Sequence, residues 1–297
     1  MGLARCVAVM NGKGGVGKTS IVANVGALAA AAGYRVLLVD LDPQGNLAED
    51  LGYTGADIDD EGRALFAAVA TGNPVTVSGS ARERLDVVAA GEHTEELEGL
   101  LNMRRQRTPG ATVGAVRDAL QPISDNYDLI LLDCPPGGAA LQDAALGAAR
   151  WLVIPSKTDA SSRKGLRTVA RRFVEARNAG ADVDLLGVVL FGAGSSATAI
   201  REQAREELSA DLGGVAPVLD TVVRHSEASA RASRRDGRVS HELEADAANL
   251  PSWYERLKNP NSIDLRDVPA SVTGLAGDYQ QLAQEILAKI AAAEVSA

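Results

Sequence analysis

Residues 7–20 read Val-Ala-Val-Met-Asn-Gly-Lys-Gly-Gly-Val-Gly-Lys-Thr-Ser. The apolar run at the start predicts a strand, and the alanine-rich segment that follows predicts a helix ending near Gly33. Between them lies the pattern G-x-x-x-x-G-K-T, which is typical of a loop that binds phosphate. Glycines allow positive φ and let backbone N–H groups face phosphate oxygens, while a helix N-terminus attracts the same anion. The stretch therefore predicts a nucleotide site where the first strand ends.

The polar residues of this loop have expected roles. Lys18 is expected to reach the β- and γ-phosphates of the nucleotide, and the Thr19 hydroxyl is expected to bind Mg²⁺. The other predicted nucleotide contacts also come from the loop and the start of the helix: Gly12, Lys13, Gly14, Gly15, Val16, Gly17 and Ser20.

Two further apolar runs end in aspartates. Val36–Val39 predicts a strand that is followed by Asp40 and Asp42. Strand, helix and strand in this order form a right-handed βαβ unit with parallel strands, so the carboxylates arrive beside the phosphate loop. Leu129–Leu132 predicts another buried strand, and the Asp133 that ends it can hold the Mg²⁺ shell, as a Walker B carboxylate does.

Composition favours one fold class. The 297 residues are 46% hydrophobic but only 3% aromatic, so the core must consist of Val, Leu, Ile and Ala. Continuous aliphatic runs suit parallel strands that are covered on both faces. We predict an α/β fold: a single-domain, doubly wound, mostly parallel β-sheet flanked by helices, spanning residues 1–297. The polar, proline-containing stretch 241–274 shows no clear period and predicts an irregular insertion.

The sequence also bears on the cellular compartment. Cys6 and Cys134 lie in or beside apolar runs and are interpreted as small buried hydrophobes in a reducing compartment. The first strand begins within a few residues of Met1, which predicts no signal peptide, and no apolar run is long enough to cross a bilayer. The last predicted helix has the wrong charge for an anionic membrane. We expect a cytoplasmic protein with no membrane partner.

Charge is distributed unevenly along the chain. The net charge is −9, yet residues 150–177 carry +6 and residues 224–238 carry +3. A helix predicted over 163–177 places Arg163, Lys164 and Arg167 at roughly helical spacing. These side chains could be an ordinary solvated face or could bind an anionic partner, and the sequence leaves both interpretations open.

Three of these stretches resemble motifs of the ParA/Soj/MinD group of deviant Walker ATPases. Asn11–Thr19 resembles their K-G-G-V-G-K-T loop, Val39–Asn46 resembles the ParA form of their second motif, and Tyr127–Pro136 is similar to their Walker B strand. The resemblance implies ATP and Mg²⁺ as cofactors and a homodimer that sandwiches ATP.

The resemblance also implies roles for particular residues. Lys13 would be the signature lysine that reaches the partner's phosphates, and Asp42 would orient the attacking water. Asp40 would help to hold Lys18 and the Mg²⁺ shell. The catalytic candidates are thus Lys13, Lys18 and Asp42, and the metal candidates are Thr19, Asp42 and Asp133.

A fourth resemblance concerns nucleic acid. Arg224, in Arg-His-Ser-Glu-Ala, resembles the arginine of an R-L-S-E-A segment that contributes to sequence-independent DNA binding in this group. Together with Arg163, Lys164 and Arg167, it is predicted to form a basic stripe that binds DNA. This would place the protein on the nucleoid.

The residues favour the small ParA/Soj type within the group. The chain lacks the cysteine arrangement of the iron-protein relatives, and its last residues, Ala291–Ala297, carry no cation such as the MinD tail requires. The resulting hypothesis is an ATP-dependent dimerising switch that positions plasmid or chromosome DNA, with slow hydrolysis stimulated by a ParB-like partner. Two alternatives stay open: a ParA-like positioner of a protein cargo, and an ATP-dependent carboxylate-activating ligase of the dethiobiotin-synthetase and cobyrinate-amidase type.

Overall fold

The structure is a computed structural model that describes residues 2–108, 110, 112–157, 159–192, 203, 206, 209–210, 217–248 and 268–296. The described strands are β1 Leu3–Val9, β2 Val36–Asp40, β3 Gly79–Arg82, β4 Leu85–Val88, β5 Leu129–Asp133, β6 Ala149–Ser156, β7 Asp184–Phe191 and β8 Val218–Val223. The described α-helices are α1 Lys18–Ala31, α2 Asn46–Leu51, α3 Arg63–Thr71, α4 Glu92–Arg107, α5 Ala115–Leu120, α6 Ala139–Ala148, α7 Ala160–Asn178, α8 Glu227–Asp236, α9 Ser240–Ala248 and α10 Ser271–Ser296. A 3-10 helix spans Gln121–Asn126.

All eight strands belong to one sheet, in the order β3-β4-β2-β5-β1-β6-β7-β8. Every neighbouring pair is parallel except β3 with β4, which are antiparallel. Helices cover both faces of the sheet, which confirms the predicted doubly wound α/β fold. β3 was not predicted, because Gly-Ser-Ala-Arg contains no aliphatic run and the strand is defined by its pairing with β4.

Alternation along the strands separates two cores. In β2, Val36 and Leu38 pack in the core that contains α1 and α10, whereas Leu37 and Val39 pack in the core that contains α4, α6 and α7. Because side chains alternate between faces, Asp40 follows Val36 and Leu38 onto the α1 face. In β5, the same alternation places Asp133 on the α1 face.

The predicted irregular insertion at 241–274 is wrong at both ends. Its first residues belong to α9, and its last four begin α10; residues 249–267 lie outside the described residues. Helix α9 is held by contacts that are distant in sequence: Ser240 N–H donates to Asn24 Oδ1 at 2.8 Å, and Glu242 pairs with Arg82 at 2.7 Å. These contacts do not produce a hydrophobic period in the sequence.

Two other expectations concern the interior and the membrane. Cys6 and Cys134 are fully buried, and burial raises the pKa of both thiols, so they pack as hydrophobes as predicted. Over the part of the chain that the structure describes, no helix combines the length and the apolar character needed to span a bilayer.

Candidate functional site

The phosphate loop, residues 10–17, joins β1 to α1 in a conformation that requires glycine. Gly15 and Gly17 have φ values of 71° and 86°, in the left-handed region, and Gly17 directly precedes α1. A Cβ at Gly17 would also collide with the ring of Phe191 at the end of β7. Both the backbone angle and the lack of space therefore exclude a side chain at this position.

Asn11 holds the loop in place. This buried residue donates from Nδ2 to the Pro155 carbonyl of β6 at 2.6 Å, and its Oδ1 accepts the Lys13 N–H at 2.9 Å. Gly165 of α7 packs so closely that a Cβ there would strike Asn11 Oδ1. Sequence reasoning did not assign Asn11 a role; the only available signal was a polar residue directly after a buried strand.

Lys18 places a cation inside the site. Its side chain is buried, and Nζ donates to the Lys13 carbonyl at 3.4 Å. Across the described ranges it has no carboxylate within 4.0 Å. A buried ammonium without a carboxylate partner is an unfavourable arrangement that a bound anion would relieve.

Asp40 and Asp133 form a buried carboxylate pair. They are register partners on β2 and β5, and both have no exposed surface. Asp40 Oδ1 accepts the Asp42 N–H at 2.8 Å. The structure gives no hydrogen-bond partner among described residues to Asp40 Oδ2 or to either oxygen of Asp133.

These carboxyl groups have raised pKa values. Burial, and next the charge of Asp133, raises the pKa of Asp40 well above its usual range. Burial also raises the pKa of Asp133 to about 7. The Thr19 hydroxyl and the Lys18 ammonium oppose this second shift, although the hydroxyl does not reach hydrogen-bond geometry. Orphaned carboxylate oxygens beside a threonine hydroxyl are the hard ligands that fit Mg²⁺ and its water shell.

A cavity of about 290 Å³ opens over the loop. Most predicted phosphate and catalytic residues line it: Gly14, Gly15, Gly17, Lys18, Thr19, Ser20 and Asp42. Asp42 is 7% exposed, and its Oδ1 accepts the Gln44 N–H at 3.1 Å. Gly12 instead faces α7, and Val16 is buried.

Lys13 points towards its own chain. Its Nζ forms an ion pair with Asp159 Oδ1 at 2.8 Å and donates to Ser162 Oγ at 3.4 Å, at the start of α7. The two side chains of the pair are 33% and 45% exposed. Lys13 is therefore held beside the cavity by a contact on the protein surface.

The predicted DNA-binding residues are not brought together within one chain. Arg224 lines the cavity and is held by Asp278 through its backbone N–H at 2.9 Å, Nε at 2.6 Å and Nη2 at 2.9 Å. Lys164 and Arg167 are exposed on α7, which packs against the opposite face of the sheet. The side chain of Arg163 lies outside the described residues. Arg224 therefore does not form a single stripe with Lys164 and Arg167 within this chain.

Two aromatic residues missed by the sequence analysis line the same cavity. Phe191 ends β7 and His225 follows β8, with ring centroids 6.0 Å apart. Their positions at two neighbouring strand ends could not be read from a motif, because 34 residues separate them along the chain.

Comparisons with known proteins agree with this geometry. An AAA domain family model matches residues 4–182. The sporulation initiation inhibitor protein Soj of Bacillus subtilis is 34% identical over 192 residues, which is 63% of this chain and 72% of Soj. The chromosome partitioning protein ParA of Caulobacter vibrioides is 32% identical over 225 residues, which is 74% of this chain and 80% of that ParA.

Solved structures share the fold. The ATP complex of a McdA variant from Cyanothece superimposes with a TM-score of 0.73 at 18% identity, covering 97% of this chain and 98% of McdA. Cobyrinic acid a,c-diamide synthase from Mycobacterium smegmatis, with an ATP analogue and magnesium, gives a TM-score of 0.62 at 27% identity. That similarity covers 87% of this chain and 98% of the synthase.

Proposed function

Because the chain belongs to the ParA/MinD-type family of P-loop ATPases, we propose that it is an ATP-dependent dimerising switch that binds DNA without sequence specificity. In this proposal the chain is a single P-loop ATPase domain. Two subunits close on ATP, the dimer binds DNA, and a ParB-like partner accelerates hydrolysis and release. The cargo would be plasmid or chromosome DNA in the cytoplasm, on the nucleoid.

The buried pair Asp40 and Asp133, beside the left-handed glycines of the loop, carries the ATPase part of the proposal. When bound, ATP would supply the phosphoryl group and Mg²⁺ would offset its charge. Backbone N–H groups from Gly14 to Thr19 and the Lys18 ammonium would bind the phosphates. Thr19, Asp40, Asp42 and Asp133 would hold the metal through its water shell.

Asp42 and Lys13 are assigned to hydrolysis and dimerisation. Asp42 lies at the wall of the cavity, where its second carboxylate oxygen can orient a water molecule for attack. Lys13 would leave Asp159 and pair with the phosphates of the partner's ATP. A cation supplied by the second subunit makes dimerisation depend on the γ-phosphate charge.

The DNA part is supported by the partition proteins among the relatives and by the exposed cations Lys164 and Arg167. It is tested by titrating labelled duplex DNA with protein in ATP, ADP or no nucleotide at several salt concentrations. Binding should require ATP and should weaken steeply as salt rises, because phosphate contacts release counterions. Binding that is absent, or that does not respond to salt, would remove this part of the proposal.

A second candidate function is a carboxylate-activating ligase, favoured by the 27% identity with cobyrinic acid a,c-diamide synthase. Such an enzyme needs a carboxylic acid substrate for ATP turnover. The two candidates separate in one assay: ATPase activity of the switch rises with DNA and partner protein, whereas activity of the ligase rises with a carboxylic acid and glutamine or ammonia. Formation of an amide product would replace the switch proposal.

A further inference from the structure

Helix α8 carries three arginines on one face. Arg231, Arg234 and Arg235 stand at i, i+3 and i+4, which places them side by side on a helix. Their side chains are 78%, 51% and 52% exposed. Arg231 pairs with Glu227 at 2.6 Å and Arg235 pairs with Asp236 at 2.8 Å, and both of these acidic residues belong to α8.

Arg234 differs because its acidic partners lie on another helix. Its Nε is 3.3 Å from Asp50 Oδ1 and 3.8 Å from Glu49 Oε2, both on α2. Asp50 is 4% exposed, and its other oxygen accepts the Ser20 hydroxyl at 3.4 Å. Ser20 follows the predicted Mg²⁺ ligand Thr19. A continuous contact therefore runs from the start of α1, through Asp50, to an exposed arginine.

Helix α2 is also fixed to the end of α8. The guanidinium of Arg82 donates to the Leu51 carbonyl at 2.9 Å and to the Gly237 carbonyl at 2.8 Å. Gly52 and Gly237 approach so closely that a Cβ on either would collide with the other. Because α2 begins four residues after Asp42, we expect a displacement of α8 to reach the loop that carries Asp42.

We propose that the arginine face of α8, formed by Arg231, Arg234 and Arg235, binds the phosphate backbone of DNA, and that Arg234 couples this binding to ATP turnover by exchanging Asp50 for a phosphate. The proposal rests on the proposed function, in which the chain binds DNA. It assigns the DNA contact to residues other than Arg224, whose guanidinium is already held by Asp278. Arg234 also lines the nucleotide cavity, so its exposed side chain stands between the two sites.

The charges support the exchange. A guanidinium fork matches two phosphate oxygens, and half of the Arg234 side chain is exposed, so a phosphate can approach it from solvent. The cost of the exchange falls on Asp50, because this buried carboxylate would lose Arg234 as its cationic partner. Burial raises the pKa of Asp50, and Arg234 is the strongest influence in the opposite direction. Loss of Arg234 therefore destabilises the present position of α2 and favours a rearrangement beside Ser20 and Asp42.

The test compares Arg234→Gln with the matched control Arg231→Gln, which removes the neighbouring arginine but no contact to α2. DNA affinity, MgATP affinity and the ratio of ATP turnover with and without DNA are measured for each purified protein. Couplings between two sites in proteins typically change an affinity by about fivefold or more, and we expect DNA to change the wild-type ATP turnover by a similar factor. Each variant should neutralise one DNA phosphate fewer, so the salt slope falls by about 0.9 in both.

The ratio distinguishes the two variants. Arg231→Gln should keep the wild-type ratio. Arg234→Gln should bring the ratio close to one, with turnover in the absence of DNA near the DNA-bound value of the wild type. Asp50→Asn serves as a second variant, because it removes the buried charge and keeps all three arginines. It should bring the ratio of turnover with and without DNA close to one, without weakening DNA binding.

Two results would overturn the coupling. One is a ratio in Arg234→Gln that matches that of Arg231→Gln. The other is weaker MgATP binding in Arg234→Gln with unchanged DNA affinity, because Arg234 would then be a nucleotide contact. Absence of DNA binding by the wild type is a separate result: it removes the DNA part of the proposed function and this proposal with it.

Discussion

Asp133 ends β5 with both carboxylate oxygens buried and with no described hydrogen-bond partner. Its neighbour in register, Asp40, brings a second carboxyl group to the same face of the sheet. Two neighbouring buried carboxyl groups that accept few hydrogen bonds reduce the stability of the nucleotide-free protein. The same arrangement provides ligands for a cation. Removal of the Asp133 charge should therefore stabilise the nucleotide-free protein.

Asp133→Asn should therefore raise the melting temperature of the nucleotide-free protein near pH 8 and abolish its further rise with MgATP. The folded pKa of Asp133 is raised to about 7, above the unfolded value of about 4. The folded state thus binds more protons between these values, and stability should fall as pH rises from about 4 to 7. The melting temperature should therefore depend less on pH across this range in Asp133→Asn than in the wild type.

The matched control is Asp128→Asn. Asp128 pairs with Arg35 at 2.8 Å, and that interaction lowers its pKa to about 2. This substitution should lower the melting temperature at neutral pH and leave the MgATP response and the slope above pH 5 unchanged. Equal melting temperatures of Asp133→Asn and the wild type, with and without MgATP, would contradict the assignment of Asp133 to the cation site.

Asp42 is the second residue with a distinct prediction. Asp42→Ala should reduce ATP turnover by about 10²-fold or more, as expected for loss of a group that orients the attacking water. The same protein should sediment as a dimer in ATP and as a monomer in ADP. Asp57→Asn, which replaces an exposed aspartate that does not line the cavity, is the control. Turnover of Asp42→Ala close to that of the wild type would exclude the role.

At the scale of elements, the phosphate loop depends on α7. Gly165 of α7 packs on Asn11, and Asp159 at the start of α7 holds Lys13. Asp159 also caps the helix by accepting the Ser162 N–H at 3.0 Å. The start of α7 therefore controls both the shape of the loop and the direction of the lysine that is proposed to act across a dimer.

Asp159→Asn should increase ATP-dependent dimerisation by up to about fivefold, because an exposed ion pair contributes at most about 1 kcal/mol. Asparagine also caps helices well, so the melting temperature should change little. The dimerisation constant is measured by analytical ultracentrifugation in ATP. Asp118→Asn, which breaks another exposed pair, with Arg117, is the control. Unchanged dimerisation in Asp159→Asn would argue against a competing contact of Lys13.

The sequence predicts the elements whose signal is local. The order of β1, the loop and α1, and the aspartates after β2 and β5, follow from aliphatic runs and short-range spacing. The contacts that orient side chains could not be predicted in this way. Lys13 meets Asp159 across 146 residues, and Arg224 meets Asp278 across 54 residues. Neither pair leaves a periodic pattern, and α9 depends on Arg82 from a distant hairpin.

For the whole molecule, the relevant quantity is the placement of positive charge on an acidic protein. The net charge is −9, yet α7 exposes Lys164 and Arg167, and α8 exposes three arginines, on elements that pack at opposite faces of the sheet. If DNA is bound by a dimer, surfaces from either face can contribute to it.

The double variant Lys164→Gln/Arg167→Gln should weaken ATP-dependent DNA binding and reduce the salt slope by about 0.9 for each phosphate that is no longer neutralised. Nucleotide affinity should be unchanged, because neither residue lines the cavity. Arg177→Gln, at the far end of α7 and paired with Asp184, is the control. A wild-type slope in the double variant would restrict DNA binding to other surfaces.

Helix α10 runs from the nucleotide cavity to the start of β1. Leu275 and Tyr279 at its start line the cavity, while Glu294 near its end pairs with Arg5 at the beginning of β1. Val295 is 89% exposed and stands about 24 Å along the helix axis from Tyr279. A fluorophore attached at position 295 would therefore lie far from the nucleotide cavity. Single-molecule imaging of a protein labelled at this position would test the proposed DNA binding, by timing how long each molecule stays on DNA, without blocking the nucleotide site.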